Sequence, residues 1–171
     1  MMLGKYSNLF LDRDGIINEV VLRGQLISSP RMVEEFKFRN DFLQFAHLLE
    51  AKYRCFVVTN QPDIARGLLS LGDLEKMHSI ILSRLAIEEI VICPHDDRDN
   101  CQCRKPKAGM INDIVKRYAL EKSESLMIGD SEKDVASASN AGIDCVYLKT
   151  EYNAPLCRVR NIQTLVELID K

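Results

Sequence analysis

The chain contains no tryptophan, and none of its apolar runs approaches the about 18 residues a membrane-spanning helix needs. Residues 1–6 lack the apolar stretch of a signal peptide, so the expected location is the cytoplasm. Neither sign of charge is in excess: 23 Lys and Arg stand against 25 Asp and Glu, a net of −2, with both signs interspersed. That balance provides no basic stripe for a nucleic-acid backbone and no polybasic face for anionic lipid. No nucleic acid and no membrane is therefore expected as a partner. The 5 prolines and 8 glycines do not cluster into a linker, and there is no internal repeat or low-complexity segment. The expectation is one domain over residues 1–171, acting as a monomer. No C-x-x-C pair occurs, which argues against a dithiol redox site.

What is present has a regular order. Short apolar runs at Asn8–Leu11, Cys55–Val58, Ile90–Ile92, Leu126–Ile128 and Cys145–Leu148 read as buried strands. Segments of helical period lie between them. Phe42, Phe45, Ala46 and Leu49 follow a candidate cap at Asn40; Leu74, Met77, Ile81 and Leu85 form a second stripe. Ile111, Ile114, Val115 and Tyr118 form a third, and Ile162, Leu165, Val166 and Ile169 predict a final helix. Pro62 is expected to open a helix after the second strand. Alternation of this kind predicts an α/β fold, Rossmann-like, with a mainly parallel sheet and helices on both faces. Ligands in such sheets bind at the carboxyl ends of the strands.

Four of those ends carry reactive side chains: Asp12–Arg13–Asp14–Gly15, Thr59–Asn60–Gln61, Cys93–Pro94–His95 and Gly129–Asp130–Ser131. Asp12 and Asp14 are two apart on an extended segment and point the same way. One can attack phosphorus while the other moves protons, provided a cation offsets their mutual repulsion. The same string also reads as a polar turn closing a strand. Asp130 adds a carboxylate from another strand; with Asp12 and the carbonyl of Asp14 it suits the oxygen preference of magnesium. Ser131, three residues before Asp134, matches a helix capping pattern, and both readings can hold together. Thr59 and Asn60 can donate to phosphoryl oxygens or simply cap a helix. Arg104 and Lys105 supply cations next to a cysteine-rich loop, whereas Lys107 reads as a solvated surface charge.

Cys93, His95, Cys101 and Cys103 form a C-x-H-x5-C-x-C cluster. Three thiolates and an imidazole suit four-coordinate structural zinc, and the polar stretch between them has no core of its own. A set of free surface thiols is the alternative.

Taken in order, Asp12–Gly15, Thr59–Asn60, Lys105 and Gly129–Asp130 resemble the four motifs of the haloacid dehalogenase superfamily, from Leu9 to about Tyr147. Ile16 stands where that pattern often has Thr or Val. The resemblance implies that Asp12 is the nucleophile and Asp14 the general acid and base. It implies that Thr59 and Lys105 hold the phosphoryl group and that Asp130 completes a magnesium site. With the zinc loop at 93–103, the chain resembles the small capless branch that contains the heptose bisphosphate and histidinol-phosphate phosphatases. In that branch the counterpart of Arg104 helps recognise substrate. Thr59–Gly67 and Arg104–Met110 are similar to the heptose phosphatases, while the five-residue gap between His95 and Cys101 is similar to the histidinol enzymes. The implied substrate is a small phosphorylated metabolite. Asn18, Asn60, Arg66 and Arg104 are the candidate contacts, and the segment Asn18–Arg31 is expected to border the site. An alternative of another class is a zinc-stabilised binding module without turnover.

Overall fold

The computed structural model describes residues 5–148 and 150. The helix expected over 162–169 lies outside them, as does Cys157. Five strands form one parallel sheet: β1 (Asn8–Leu11), β4 (Arg54–Asn60), β5 (Ile87–Cys93), β6 (Ser125–Gly129) and β7 (Asp144–Tyr147). Each of the five strand runs read from the sequence has its strand: β1 coincides, β4, β5 and β6 are longer at both ends, and β7 is shifted by one, ending at Tyr147 rather than Leu148.

The order across the sheet is β5-β4-β1-β6-β7. The chain therefore builds outward from β1 to one edge, then returns to the other side of β1. Connections leave β1 and β6 in diverging directions, which opens a crevice beyond their carboxyl ends. Register places Leu11 of β1 beside Val57 on one side and Ile128 on the other. Asp12 thus emerges between the ends of β4 and β6.

Strand side chains alternate between two apolar layers, as the period of two requires. Leu9, Leu11, Cys55, Val57, Leu126 and Ile128 pack with Phe42, Phe45, Ala46 and Leu49 of α1 (Asn40–Glu50). Phe10, Phe56, Val58 and Met127 face the other way, against Met110, Ile111 and Ile114 of α3 (Gly109–Arg117) and Ala138 and Ala141 of α4 (Glu132–Ala141). Both faces of the central strands β1, β4 and β6 are buried, which is why they read as continuous apolar runs.

Helix starts were partly legible. Asn40 is the first residue of α1, and its capping position is held by Arg39 without a side-chain cap. Pro62 opens no helix: residues 62–67 are turns, and α2 (Leu71–Arg84) begins later, capped by the Ser70 hydroxyl accepting from the Asp73 N–H. A short antiparallel hairpin, β2 (Val21–Arg23) and β3 (Leu26–Ser28), follows β1 and had no counterpart in the sequence reading. Its strands are only three residues each, too short to show a period.

Candidate active site and metal centres

Asp12, Asp130 and Asp134 offer carboxylate oxygens within 4.8 Å of one another. The first follows β1 and the second follows β6; the third sits in the first turn of α4. Lys105, almost fully buried, reaches among them: its Nζ donates to Asp12 Oδ1 at 2.8 Å, to Asp134 Oδ1 at 2.6 Å and to the Val58 carbonyl at 3.0 Å. Burial alone would lower the lysine's pKa, but the two carboxylates outweigh it and raise the pKa. Asp12 goes the same way for a different reason. Its own desolvation raises its pKa well above the usual range, Lys105 opposes this, and the charges of Asp134, Asp130 and Asp14 push it further up. One lysine for three clustered carboxylates leaves excess negative charge. An oxygen-only donor set with that excess fits a hard divalent cation such as magnesium.

Asp14 points elsewhere. Its Oδ1 accepts from Arg13 Nε (3.2 Å) and Nη2 (3.0 Å) and from Asn18 Nδ2 (2.9 Å). Its Oδ2 accepts from Arg13 Nη2 (3.1 Å), Ser29 Oγ (2.9 Å) and Gln61 Nε2 (2.8 Å). Burial favours the protonated acid, yet Arg13 and these donors together win and hold its pKa below the usual carboxylate value. Gly15, at φ 85°, lets the chain reverse so that its N–H meets the Asn18 carbonyl at 2.8 Å. That turn is what returns Asn18 to Asp14.

The expected binding residues separate into two groups. Asn18 is fully buried, its amide nitrogen spent on Asp14 and the Glu19 carbonyl, so it supports Asp14. Asn60 brackets the Lys105 main chain, donating to its carbonyl and accepting from its N–H at 3.0 Å each, and so fixes the lysine. Thr59 is buried beside them; its hydroxyl accepts from Gln61 at 2.8 Å, which leaves its own proton for another acceptor. Arg66 and Arg104 lie on the zinc-loop side, paired with Asp96 and Asp97 respectively, each at 2.6 Å.

An open cavity of about 480 Å³ adjoins the carboxylates, lined by Asp14, Asp130, Lys133 and Tyr147 and by Ile27 and Ser29 of the hairpin and the loop after it. The segment after Asn18 does border this space, as the sequence suggested.

At the end of β5, Cys93, His95, Cys101 and Cys103 converge. Their sulfurs are 3.4–3.6 Å apart, and His95 Nδ1 lies 3.3 Å from Cys103 Sγ and 3.7 Å from Cys93 Sγ. Thiolates at a zinc–sulfur distance of about 2.3 Å on a tetrahedron are roughly 3.8 Å apart, so this cluster needs to open by only a few tenths of an ångström around the ion. The loop is tied down from outside as well. Lys107, expected to be merely solvated, donates to the Asn100 and Cys101 carbonyls at 3.1 and 2.7 Å. Gly109 admits the loop backbone, since a Cβ there would lie 2.2 Å from the Gln102 carbonyl oxygen.

Sequence reasoning underrated Asp134, Gln61, Arg13 and Ser29. For Asp134 a signal existed in its spacing of four from Asp130, one helical turn. Its capping box with Ser131 is also present, so the residue caps α4 with one oxygen and binds Lys105 with the other. Ser29 and Gln61 meet Asp14 only through the fold.

Comparison with known proteins agrees with this geometry. Residues 102–159 match a family model described as HAD-hydrolase-like. A D-glycero-beta-D-manno-heptose-1,7-bisphosphate 7-phosphatase of Neisseria meningitidis is 38% identical over 139 residues, 78% of this chain and 72% of that protein. The D-glycero-alpha-D-manno-heptose-1,7-bisphosphate 7-phosphatase of Campylobacter jejuni is 32% identical over 97% of this chain and 95% of its own length. The D,D-heptose 1,7-bisphosphate phosphatase of B. bronchiseptica, solved with magnesium and phosphate, superposes with a TM-score of 0.78 at 29% identity, covering 94% of this chain and 96% of that one.

Proposed function

The chain belongs to the HAD-like hydrolases, in the family of the heptose-1,7-bisphosphate 7-phosphatases, and from that membership we propose that it removes the 7-phosphate of D-glycero-D-manno-heptose 1,7-bisphosphate through an aspartyl phosphate on Asp12. The observation that carries this reading is Lys105 Nζ, held between Asp12 and Asp134 at the crevice of the sheet with Asp14 two residues from the nucleophile. A cation fixed there lies against the very carboxylate that must approach a phosphate.

In the proposed reaction an Asp12 oxygen attacks phosphorus in line, and the sugar oxygen leaves with a proton from Asp14. Asp14 then takes a proton from a water that attacks the aspartyl phosphate, releasing inorganic phosphate and restoring Asp12. In the free protein its donors keep Asp14 ionised; an arriving phosphate dianion raises its proton affinity and equips it as the acid. Lys105 and the Thr59 hydroxyl hold the phosphoryl oxygens. Asp12, Asp130 and the Asp14 carbonyl would hold magnesium, with Asp134 beside them. When bound, the ion neutralises the oxygens of the transferring group. Cys93, His95, Cys101 and Cys103 would hold structural zinc, which would shape the segment leading into Arg104 and Lys105. Arg66 and Arg104 are assigned to the remainder of the substrate, with Asn18 and Asn60 acting through Asp14 and Lys105.

We place this activity in a single catalytic domain, monomeric and cytoplasmic. Thiols at Cys93, Cys101 and Cys103 that must stay reduced to bind zinc support that compartment. No helix among the described residues is long and apolar enough to cross a membrane.

The test is phosphate release with magnesium, on the α and β heptose bisphosphates and on histidinol phosphate at equal concentrations. Much higher kcat/KM on one heptose anomer is expected, and it also settles the anomer, which differs among the relatives. Preference for histidinol phosphate would overturn the substrate. Asp12→Asn should abolish turnover while leaving the fold intact; full activity in that variant would overturn the mechanism.

A further inference from the structure

Arg13 lies between the two aspartates and is completely buried, although it must carry a full charge. Its Nε and Nη2 are spent on Asp14. On the other side Nη1 lies 3.3 Å from His78 Nε2, on α2. A guanidinium has donors only, so Nε2 must accept, the ring proton must sit on Nδ1 and the imidazole must be neutral. The surroundings agree: desolvation, then the charge of Arg13, lowers the His78 pKa to about 4. The neighbouring residues Leu74, Met77 and Ile81 bury the same helix in the core, so the ring is carried by a rigid element. An unbroken chain therefore runs from α2 through His78 and Arg13 to the Asp14 carboxylate, which borders the cavity.

We propose that His78 is a positioning residue for the phosphatase reaction: by accepting from Arg13 it orients the guanidinium, and the guanidinium orients Asp14 for proton transfer to and from the reacting oxygens. The inference rests on the reading of Asp14 as general acid and base. Among the described residues Arg13 is the only cation bonded to Asp14, and its guanidinium reaches both carboxylate oxygens. Without the His78 acceptor a buried Nη1 donor loses its partner, a state the guanidinium escapes by turning. Asp14 turns with it, and proton transfer is sensitive to such angles.

The test compares His78→Leu with His78→Gln, whose Oε1 restores an acceptor near the Nε2 position, in the zinc- and magnesium-loaded enzyme. His78→Met serves as a second apolar variant should the leucine variant fail to fold. Heptose bisphosphate has a leaving oxygen that needs a proton; p-nitrophenyl phosphate has one that leaves without it. For the apolar variant kcat on the sugar should fall about tenfold with KM nearly constant, and glutamine should recover most of it. The first-turnover release of p-nitrophenol should stay near the wild-type rate. An unchanged kcat, an equal loss on both first turnovers, or no recovery in the glutamine variant would overturn the proposal. Asp14→Asn is assayed in parallel. If it keeps wild-type kcat on the sugar, the acid–base reading itself falls; if it is inactive while His78→Leu is normal, only the role of His78 falls.

Discussion

Lys105→Met removes a buried charge while keeping most of the side-chain volume. Two carboxylates then lose their shared cation: Asp12 and Asp134, which Lys105 contacts at 2.8 and 2.6 Å. Breaking a buried ion pair from one side costs about 3–5 kcal/mol, since the remaining charge stays desolvated. For a chain of this size each kcal/mol shifts the melting temperature by roughly 2–4 °C, so a fall on the order of 10 °C is expected without magnesium at pH 7.5. The effect has a definite sign with pH. Asp12 already has a raised pKa in the folded protein through burial, and removing Lys105 raises it further. A carboxylate whose folded pKa exceeds its unfolded value destabilises the fold above that window. The penalty disappears as pH falls toward the unfolded value near about 4. The melting-temperature gap between variant and wild type should therefore shrink from pH 7.5 to pH 5.5. Differential scanning fluorimetry at both pH values, with phosphate release measured alongside, tests this. A gap under 2 °C at pH 7.5, or one that widens on acidification, would refute the electrostatic reasoning. Turnover should be lost at either pH, because the cation that meets the phosphoryl group is gone.

Gly129→Ala should be disproportionately harmful, since its Cβ would lie 2.3 Å from the Asp134 Cβ. About 2–3 kcal/mol of stability and most of the activity should go as Asp134 is displaced from Lys105. Gly72→Ala is the control: its added Cβ has nothing nearer than Ser70 Oγ at 3.9 Å, so it should be neutral or stabilising by about 0.5–1 kcal/mol in denaturant titrations. Zinc affinity should rise with pH. Burial lifts the Cys93 thiol to about 12 and raises Cys103, whereas Cys101, despite its own burial, is brought down to about 7 chiefly by the Arg104 backbone N–H. Above pH 8 zinc must then displace two protons, so chelator competition should show roughly a hundredfold gain per pH unit, and a pH-independent affinity would contradict the four-ligand site.

Most of the elements, and the residue types at the strand ends, were legible in the sequence. Strands buried on both faces must be apolar throughout, so they stood out as short runs. Residues just beyond them are freed to be polar, and there Asp12, Thr59, Cys93 and Asp130 were found. The zinc ligands were legible because a metal loop recruits from neighbouring positions, and the Ser131 cap because capping is local. Strand order was not legible, because nothing in an apolar run states which neighbour it pairs with. Only the sheet's reversal at β1 put Lys105, 93 residues along the chain from Asp12, against it. The assignments made at a distance changed for the same reason. Asn18 turned inward to Asp14 at the Gly15 reversal, Asn60 clasped the Lys105 backbone, and Pro62 met turns instead of a helix. Nothing in the sequence marks His78, which stands beside the Leu74, Met77 and Ile81 stripe of a helix. What it touches is set by how α2 lies over the start of the active-site loop, and side-chain partners across such an interface exist only once the chain is packed.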